Sequence, residues 1–461
     1  MTRGRIALFA VAAVVVAVAA AVLLVPLNSF RGPIATAASN ALKRQVTIRG
    51  SLHLSLFPKL GIVLKDVSIA NAAGARDPKM VTVGRILVGA RLLPLLHGDL
   101  QVTRVVLKQP VIHLEIGKDG VGNWQFGKQT TGSAANPFAP DTLGFRQARI
   151  ENGEVTYFDA RTGQTEALND VSLSLATAPS QAARALKFTG TATYNRVPVK
   201  FAGSLADLDQ FLDGKPSNGQ VHLGSTMVDA DLTGRFTAPG AITGTLKLTA
   251  PSLRRLAAWA GEALPPGNGL GAIAVNARVA AHGGVYTLSR AGIALDRMKL
   301  TGDLSIDDNA KVPTLKGTLA IDHFDARPYL APGTAGNIAS AEKRPQRNEK
   351  LALGGLEGVN ADLVLTLGGL VLPDIKVDHA VVAATLRGGV LKARLTRLAA
   401  YGGAGSGSVS VDATGAVPSL HTTLDMSGIN VRSFLGEVIG IDRISGTGAV
   451  RLDVASRGAT E

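Results

Sequence analysis

The sequence contains no cysteine, few aromatic residues and only isolated histidines. Without cysteine the chain forms no disulfide and no thiolate metal site, and it has no cysteine nucleophile. Aromatic residues make up 4% of the chain, too few for large aromatic-rich cores. The histidines include no pair at the spacing that places two metal ligands on one helix face. We therefore predict that the protein holds no metal ion and no cofactor.

Motifs of catalysis and of nucleic-acid binding are missing as well. The chain has no Gly-x-Ser-x-Gly elbow, phosphate-binding loop, dinucleotide fingerprint or His-Glu-x-x-His, so we expect that it is not an enzyme. Its net charge of +13 comes from Lys and Arg scattered singly along the chain, without interleaved stacking aromatics, so we expect no nucleic-acid partner. A basic surface also suits anionic lipid headgroups, at about 1 kcal/mol per charge.

One long apolar run is present near the N-terminus. No charged residue lies between Ile6 and Leu27, and a helix over this run would span a hydrocarbon core of about 30 Å. Arg3 and Arg5 precede it, which favours a cytoplasmic N-terminus. The alternative is a cleaved signal peptide, whose apolar region is normally about 7–15 residues. We predict a retained transmembrane anchor within residues 1–32 and translocation of the rest of the chain, into the periplasm if the host is a Gram-negative bacterium.

Beyond this run the apolar residues alternate with polar ones, which is typical of strands. SLHLSL at 51–56 and VIHLEI at 111–116 each present one apolar and one polar face. Short helices are predicted only near 33–44, 205–212, 252–263 and 432–439. Stretches of small and polar residues predict linkers at 127–142 and 331–350. The predicted divisions between them are an N-terminal region at 33–126, a β segment at 143–330 and a repeat-related β segment at 351–461.

The second half of the chain contains an internal repeat. Residues 284–330 align without a gap with 389–435, an offset of 105 (389 − 284), and ITGTLKL at 242–248 is a partial earlier copy. The same strand positions are apolar in all three copies, which predicts one apolar face made by successive strands. The residues predicted to line this face are Ile242, Leu246, Leu248, Leu315, Leu319, Ile321, Leu420, Leu424 and Met426.

The residues between these positions include Lys247, Lys316 and His421, which we predict to face water. Predicted helices are too few to cover the apolar face. The sheet must therefore fold on itself as a sandwich, close as a barrel, or curl into a trough that an apolar ligand fills. We predict the trough: a mainly β fold in which a long, curled, mostly antiparallel sheet forms an elongated apolar groove, with a few short helices.

A series of ordered motifs lies between Gly50 and Trp124. They are LFPKLGIVLKDVSIAN at 56–71, PKMVTVGRI at 78–86, LLPLLHGDL at 92–100, KQPVIHLE at 108–115 and GVGNW at 120–124. In this order they resemble the N-terminal region of the AsmA family of bacterial envelope proteins, and residues 391–412 are similar to its C-terminal half. We interpret the motif residues as structural, forming the start of the sheet. They are Pro94, Leu95, Leu96, Gly98, Pro110, Gly120, Asn123 and Trp124.

The resemblance implies an inner-membrane-anchored periplasmic protein of outer-membrane biogenesis. One function that it implies is binding or conducting phospholipid acyl chains along the groove, where about 15 methylenes would gain roughly 12 kcal/mol at ~0.8 kcal/mol each. The alternative is an assembly factor that contacts other envelope proteins at its sheet edges. The family pattern continues beyond LDVASRGATE, so the resemblance also implies further strands after this point.

Overall fold

The computed structural model describes residues 27–55, 61–90, 102–125, 146–179, 183–238, 240–262, 264, 268–310, 312–329, 358–372, 375–415, 417–438 and 440–458. Of these residues 64% lie in strands and 11% in helices, which confirms a mainly β fold with a long, mostly antiparallel sheet. The chain divides into two compact units, Met1–Asp213 and Gly214–Glu461. The linkers predicted at 127–142 and 331–350 lie outside the described residues, and the predicted divisions stay predictions.

The first unit begins with a 3-10 turn at Leu27–Phe30 and helix α1 at Arg31–Leu42. Its strands are β1 Val46–Ile48, β2 Leu52–Ser55, β3 Gly61–Ala70, β4 Lys79–Ala90, β5 Val102–Ile116, β6 Gln147–Asp159, β7 Gln164–Pro179, β8 Arg184–Tyr194 and β9 Val197–Leu205, followed by helix α2 at Leu208–Leu212. Strands β1 and β2 both pair with β3. From β3 to β9 each strand pairs with the next, antiparallel except for the parallel pair β5–β6.

The second unit is built the same way, as one sheet with short helices. Its elements are β10 Ser217–Ser225, β11 Asp229–Thr237, β12 Ala241–Ala250, α3 Leu253–Trp259, β13 Ile273–His282, β14 Val285–Leu295, β15 Met298–Asp307, β16 Thr314–Ile321, β17 Phe324–Asp325, β18 Asn360–Leu367, β19 Leu370–Val371, β20 Lys376–Val377, β21 His379–Arg387, β22 Val390–Ala400, β23 Gly403–Asp412, β24 Ser419–Asn430, α4 Val431–Val438 and β25 Thr447–Arg457. A 3-10 turn at Arg327–Tyr329 follows β17.

The main strands of this unit pair in chain order. Pairing is antiparallel from β10 to β16, parallel between β16 and β18, and antiparallel again from β18 through β21 to β25. The short strands β17, β19 and β20 form a separate small sheet. An apolar residue at every second position therefore adds to one continuous face, because directly opposed residues point to the same side.

Two of the helices begin at a side-chain cap. Asp207 accepts hydrogen bonds from the backbone N–H groups of Asp209 (3.0 Å) and Gln210 (3.1 Å) at the start of α2. Ser252 caps α3 in the same way through the N–H of Arg255 at 3.3 Å. All four helices lie at the positions predicted from the sequence. No helix among the described residues combines the length and the hydropathy needed to cross a membrane.

The predicted anchor runs from Ile6 to Leu27, and all of it except Leu27 lies outside the described residues. Leu27 begins the first 3-10 turn. Helix α1 then packs onto the sheet through Ile34, which contacts a buried cluster that includes Leu52 and Leu64. The first described helix is thus attached to the start of the sheet.

The internal repeat corresponds to repeated strands. Adding 105 to the bounds of β14 and β15 gives the bounds of β22 and β23, and β16 falls on the first part of β24. The turns match as well: Gly283 and Gly284 adopt positive φ, as do Gly388 and Gly389 one period later. The two copies therefore share both strand lengths and turn geometry.

Candidate functional site

The candidate site is the apolar face of the second unit, which cross-strand register resolves into two rows. The first, here called the capped row, follows directly paired residues across successive strands. Its members are Leu248, Val275, Ile293, Leu300, Ile321, Leu367, Ala380, Leu398, Gly405, Met426 and Val450. Three of the predicted lining residues, one from each repeat copy, thus lie in a single row with no polar side chain.

The second row, here called the open row, lies beside the first on the same face. Its members are Leu319, Leu365, Val382, Leu395, Gly407, Leu424 and Leu452. Leu246 also points to this face, because it lies two residues before Leu248 in β12. The register therefore puts these positions on one side of the sheet, in the parity that the repeats predict.

The two rows differ in burial. Leu367, Ala380, Leu398 and Met426 of the capped row are buried in one core cluster together with Ile429. The open row is half-buried, and its last member, Leu452, is 42% exposed. Of the remaining predicted lining residues, Leu420 is 40% exposed and the rest are half-buried. The apolar face is thus buried along the capped row between β18 and β24 and more accessible along the open row.

Helix α4 and the small sheet cover the buried part of the capped row. Phe434 of α4 packs edge-on against Tyr401, with 5.4 Å between ring centroids, and both contact the buried cluster. The ammonium of Lys376 in β20 donates a hydrogen bond to Glu437 in α4. That hydrogen bond lowers the pKa of Glu437, and burial raises the pKa of the Tyr401 phenol. An ion pair therefore connects the two covering elements.

Strand β23 contributes bare backbone to the apolar face. Gly403, Gly405 and Gly407 occupy its inward positions, between the apolar side chains of β22 and β24. A Cβ added at Gly405 would lie 2.5 Å from Cγ of Met426, and one at Gly407 would lie 2.5 Å from the carbonyl oxygen of Thr423. The side chain of Met426 in β24 therefore lies over Gly405, and the backbone of β24 lies close to Gly407.

The opposite face of the sheet is polar. Lys247, Lys316 and His421 are exposed, as the repeat parity predicts. Near the last strands, Arg451 binds Asp425 at 2.8 Å and His421 binds Asp453 at 2.8 Å. Such exposed ion pairs contribute little to stability individually. They show that this face of the sheet is exposed to solvent.

The first unit carries an apolar row of the same kind. Paired residues across β3 to β9 are Leu64, Ile86, Leu107, Ile150, Leu173, Gly190 and Phe201. The ring of Phe201 lies over Gly190, where an added Cβ would be only 2.4 Å from a ring carbon. We call this set the first-unit row.

The motif residues within the described part of the chain make packing and hydrogen-bond contacts. Asn123 is buried: its amide nitrogen donates to Asn71 Oδ1 (2.9 Å) and to the carbonyl of His113 (2.7 Å), and its Oδ1 accepts from the N–H of Glu115 (3.0 Å). The asparagines of two separate motifs, Asn71 and Asn123, therefore bind each other. Sequence reasoning missed this contact. Pro94, Leu95, Leu96 and Gly98 lie outside the described residues.

The two glycines of the GVGNW motif, Gly120 and Gly122, meet different structural requirements. Gly120 adopts a φ of 78°, as expected for a tight turn. Gly122 does not adopt positive φ, but a Cβ there would lie 2.5 Å from the indole of Trp124. Trp124 is 38% exposed and lies 6.4 Å from Tyr157 between ring centroids.

Pro110 in β5 is fully buried beside a break in the parallel pairing with β6. The pairing skips from Lys108 to Val111, and Gln109 adopts positive φ there. Because proline has no N–H, it occupies a position where the ladder needs no donor.

Within the described residues one group could offer three metal ligands. His222, Asp229 and Asp231 lie exposed on β10 and β11, with His222 Nδ1 3.0 Å from Asp231 Oδ1. The ligands already bond to each other, and Lys247 is paired directly opposite Asp231. We assign no role to this group.

Comparison with known protein families gives a match. The model of the AsmA family matches residues 1–234, which confirms the resemblance seen in the motifs. No curated protein and no solved structure matches the chain. The matched range contains the first-unit row, whereas the capped and open rows follow it in the sequence.

Proposed function

Because the chain belongs to the AsmA family, we propose that it is an inner-membrane-anchored envelope protein whose bulk lies in the periplasm. Its function would be to bind or conduct phospholipid acyl chains along the apolar sheet face, in support of the outer membrane. The observation that carries this proposal is the register of the open row, which places aliphatic residues opposite one another from β16 to β25. We infer further that the sheet curls around the bound chain.

The dimensions and energetics of the open row suit an acyl chain. Neighbouring strands are about 4.8 Å apart, so a chain that crosses the strands meets one apolar position at each such step. Each buried methylene contributes about 0.8 kcal/mol. Leu and Val recur along the row without charges, except at Gly407 of β23, so most steps provide similar binding and allow sliding without a deep trap.

The exposure of the row also favours a ligand over a protein core. Leu424 and Leu319 are half-buried although their strands are paired on both sides. Side chains in the core of a closed sandwich are fully buried, because a second sheet covers them at about 10 Å. Partly exposed aliphatic residues in a continuous row are instead the lining expected of an open binding surface.

Photocrosslinking in living cells tests the proposal. A photoreactive amino acid replaces Leu319 or Leu424 on the open row, and matched variants carry it at Lys316 or His421 on the polar face. After illumination the protein is purified and lipid adducts are identified by mass spectrometry. We expect phospholipid adducts from the open-row positions only.

Two other outcomes would reject the proposal. Equal lipid labelling from both faces would indicate nonspecific contact with membranes. Labelling of nascent outer-membrane proteins, without lipid, would favour the assembly factor. A protease-protection assay on the same cells tests the location, because a periplasmic chain is digested only after the outer membrane is permeabilised.

A further inference from the structure

The apolar face of the second unit has a further row, here called the rim row, beside the turns from which β14 and β22 start. Pairing across successive strands places its members directly opposite one another; they are Ala281, Tyr286, Ile306, Leu315, Ala361 and Leu386. Tyr286 is 52% exposed and Ile306 is 44% exposed, although β14 and β15 are paired on both sides. This exposure is local, because Leu386 in the same row is buried.

Burial increases along β15 with distance from the rim row. The inward residues of this strand are Ile306, Leu304, Gly302, Leu300 and Met298, in that order. Ile306 is exposed, the next three are half-buried, and Met298 is only 8% exposed. An amphipathic ligand on this face is therefore most stable with its polar end at Ile306 and its apolar end toward Met298.

Tyr286 has the features of a residue at a boundary between apolar and aqueous surroundings. It is paired with Ala281 on one side and with Ile306 on the other. Within the described ranges no residue bonds to its phenol oxygen, whereas Tyr329 and Tyr401 each make a hydrogen bond through theirs. A tyrosine suits such a boundary because its ring is apolar and its hydroxyl forms hydrogen bonds. Tyr286 is therefore placed to contact a ligand that has both kinds of group.

The opposite rim, at which β14 ends, is tied together by a hydrogen-bonded cluster. The carboxylate of Asp296 accepts hydrogen bonds from the N–H of Gly271 (2.8 Å) and from the phenol of Tyr329 (2.5 Å). Because Asp296 follows β14, Gly271 precedes β13 and Tyr329 ends the 3-10 turn after β17, three separate segments are held to one another here.

The second repeat copy has an equivalent cluster with different chemistry. The residues 105 positions after Asp296 and its two partners are Tyr401, Lys376 and Phe434. The phenol oxygen of Tyr401 accepts a hydrogen bond from the N–H of Lys376 at 3.2 Å, and its ring packs against Phe434. This rim is therefore closed by residues at the same positions in both copies, whereas the rim row is accessible at Tyr286.

The turns beside the rim row offer hydrogen-bond donors to an anionic group. Strand β13 ends at His282 and β21 ends at Arg387, one period later, and both side chains are exposed. Asp307 and Asp412 lie at the same rim, also one period apart, and each accepts a hydrogen bond from the N–H two residues later in its own turn. A phosphate group at this rim thus meets imidazole and guanidinium donors.

We propose that the phospholipid on the apolar face lies with its headgroup at the rim row, where Tyr286 positions it by donating a hydrogen bond to a phosphate or ester oxygen. The acyl chains extend inward from there, onto the open and capped rows. This inference rests on the proposed function and specifies the rim at which the polar end of the ligand leaves the sheet.

Two photoreactive phospholipids test the orientation of the ligand. The full-length protein is reconstituted into vesicles of phosphatidylethanolamine and phosphatidylglycerol that contain a phospholipid with a diazirine either in its headgroup or at the end of one acyl chain. After illumination, mass spectrometry maps the labelled residues. We expect the headgroup probe to label Tyr286 and Ile306, and the acyl-chain probe to label Leu300 and Leu319. Labelling of Lys316 on the polar face gives the background.

Removal of one hydroxyl tests the role of Tyr286. Tyr286→Phe keeps the ring and should lower the ratio of headgroup labelling at Ile306 to acyl-chain labelling at Leu319 by about threefold or more, because one hydrogen bond to the headgroup is lost. Tyr194→Phe removes a phenol of the first unit and should leave this ratio unchanged. Urea denaturation of both variants shows whether the fold is retained.

The possible outcomes separate this inference from the proposed function. Equal labelling of Ile306 and Leu300 by both probes would overturn the orientation and leave the proposed function intact, as would headgroup labelling around Asp296 at the opposite rim. If neither probe labels the apolar face above the background at Lys316, the proposed function fails and the inference fails with it. An unchanged ratio in Tyr286→Phe would overturn the positioning role of this residue.

Discussion

A glutamate placed in the open row should destabilise the second unit far more than the same residue one position earlier. Leu365 lies opposite Leu319 and Val382 and is half-buried. Its neighbour Val364 points to the other face and is 39% exposed. Leu365→Glu and Val364→Glu therefore introduce one charge into one strand on opposite sides of the sheet.

The expected magnitudes follow from burial. Full burial of a Leu side chain is worth about 1.5–3 kcal/mol, so a half-buried one contributes roughly 1 kcal/mol or slightly more. A carboxylate without hydrogen-bond partners on the apolar face costs about another 1–3 kcal/mol. Leu365→Glu should thus lower the free energy of unfolding by about 2–4 kcal/mol, and Val364→Glu by less than about 1 kcal/mol.

Urea denaturation followed by tryptophan fluorescence measures the difference. The chain has two tryptophans, so Trp124→Phe leaves Trp259 of α3 as a reporter of the second unit. The effect of Leu365→Glu should shrink at acidic pH, because the apolar face raises the pKa of the new carboxyl and protonation removes the charge. Equal destabilisation at both positions would refute the assignment of the faces.

Three further changes probe the first unit. Asn123→Ala should lower the free energy of unfolding of this unit by about 2–3 kcal/mol, because three half-buried partners of the buried Asn123 lose a hydrogen bond. A double-mutant cycle with Asn71→Ala should show coupling, and additive effects would contradict the contact. Gly122→Ala should displace the adjacent indole and shift its fluorescence maximum; an unchanged spectrum would contradict the packing. Arg161 donates hydrogen bonds to Asp159 and lowers the pKa of the Asp159 carboxyl to about 2. This pair therefore stabilises the fold above about pH 4, and its contribution is lost as the pH falls toward about 2. Arg161→Ala should reduce this loss of stability at low pH, as measured by denaturation curves over a pH series.

The features predictable from sequence are those that depend on local periodicity. Alternation of apolar residues revealed which side of β12, β16 and β24 is apolar. The three repeat copies have their apolar residues at the same strand positions, which supported the same assignment in each. Helices α1 to α4 lie near the four positions where short helices were predicted between stretches of strand alternation. The N-terminal motifs identified the family because both the motifs and their order can be read directly from the sequence.

The features that could not be predicted depend on which distant segments meet. Parallel pairing of β16 with β18 follows a long connection that carries no strand signal. The contact between Asn71 and Asn123 joins motifs on different strands, and either residue alone reads as a turn asparagine. The cover formed by α4 and β20 requires Phe434 to reach Tyr401, which periodicity within one helix does not reveal.

The agreement between repeat copies makes sheet length a modular property. One period contains β14, β15, β16, β18 and β21, which together extend the sheet by roughly 24 Å at ~4.8 Å per strand. Because Gly284 and Gly389 occupy equivalent turns, removing residues 284–388 would join one copy to the next within the same turn geometry. Gene duplication or deletion can therefore change the reach of such a protein in fixed increments while its cross-section, and the chemistry of its apolar face, stays the same.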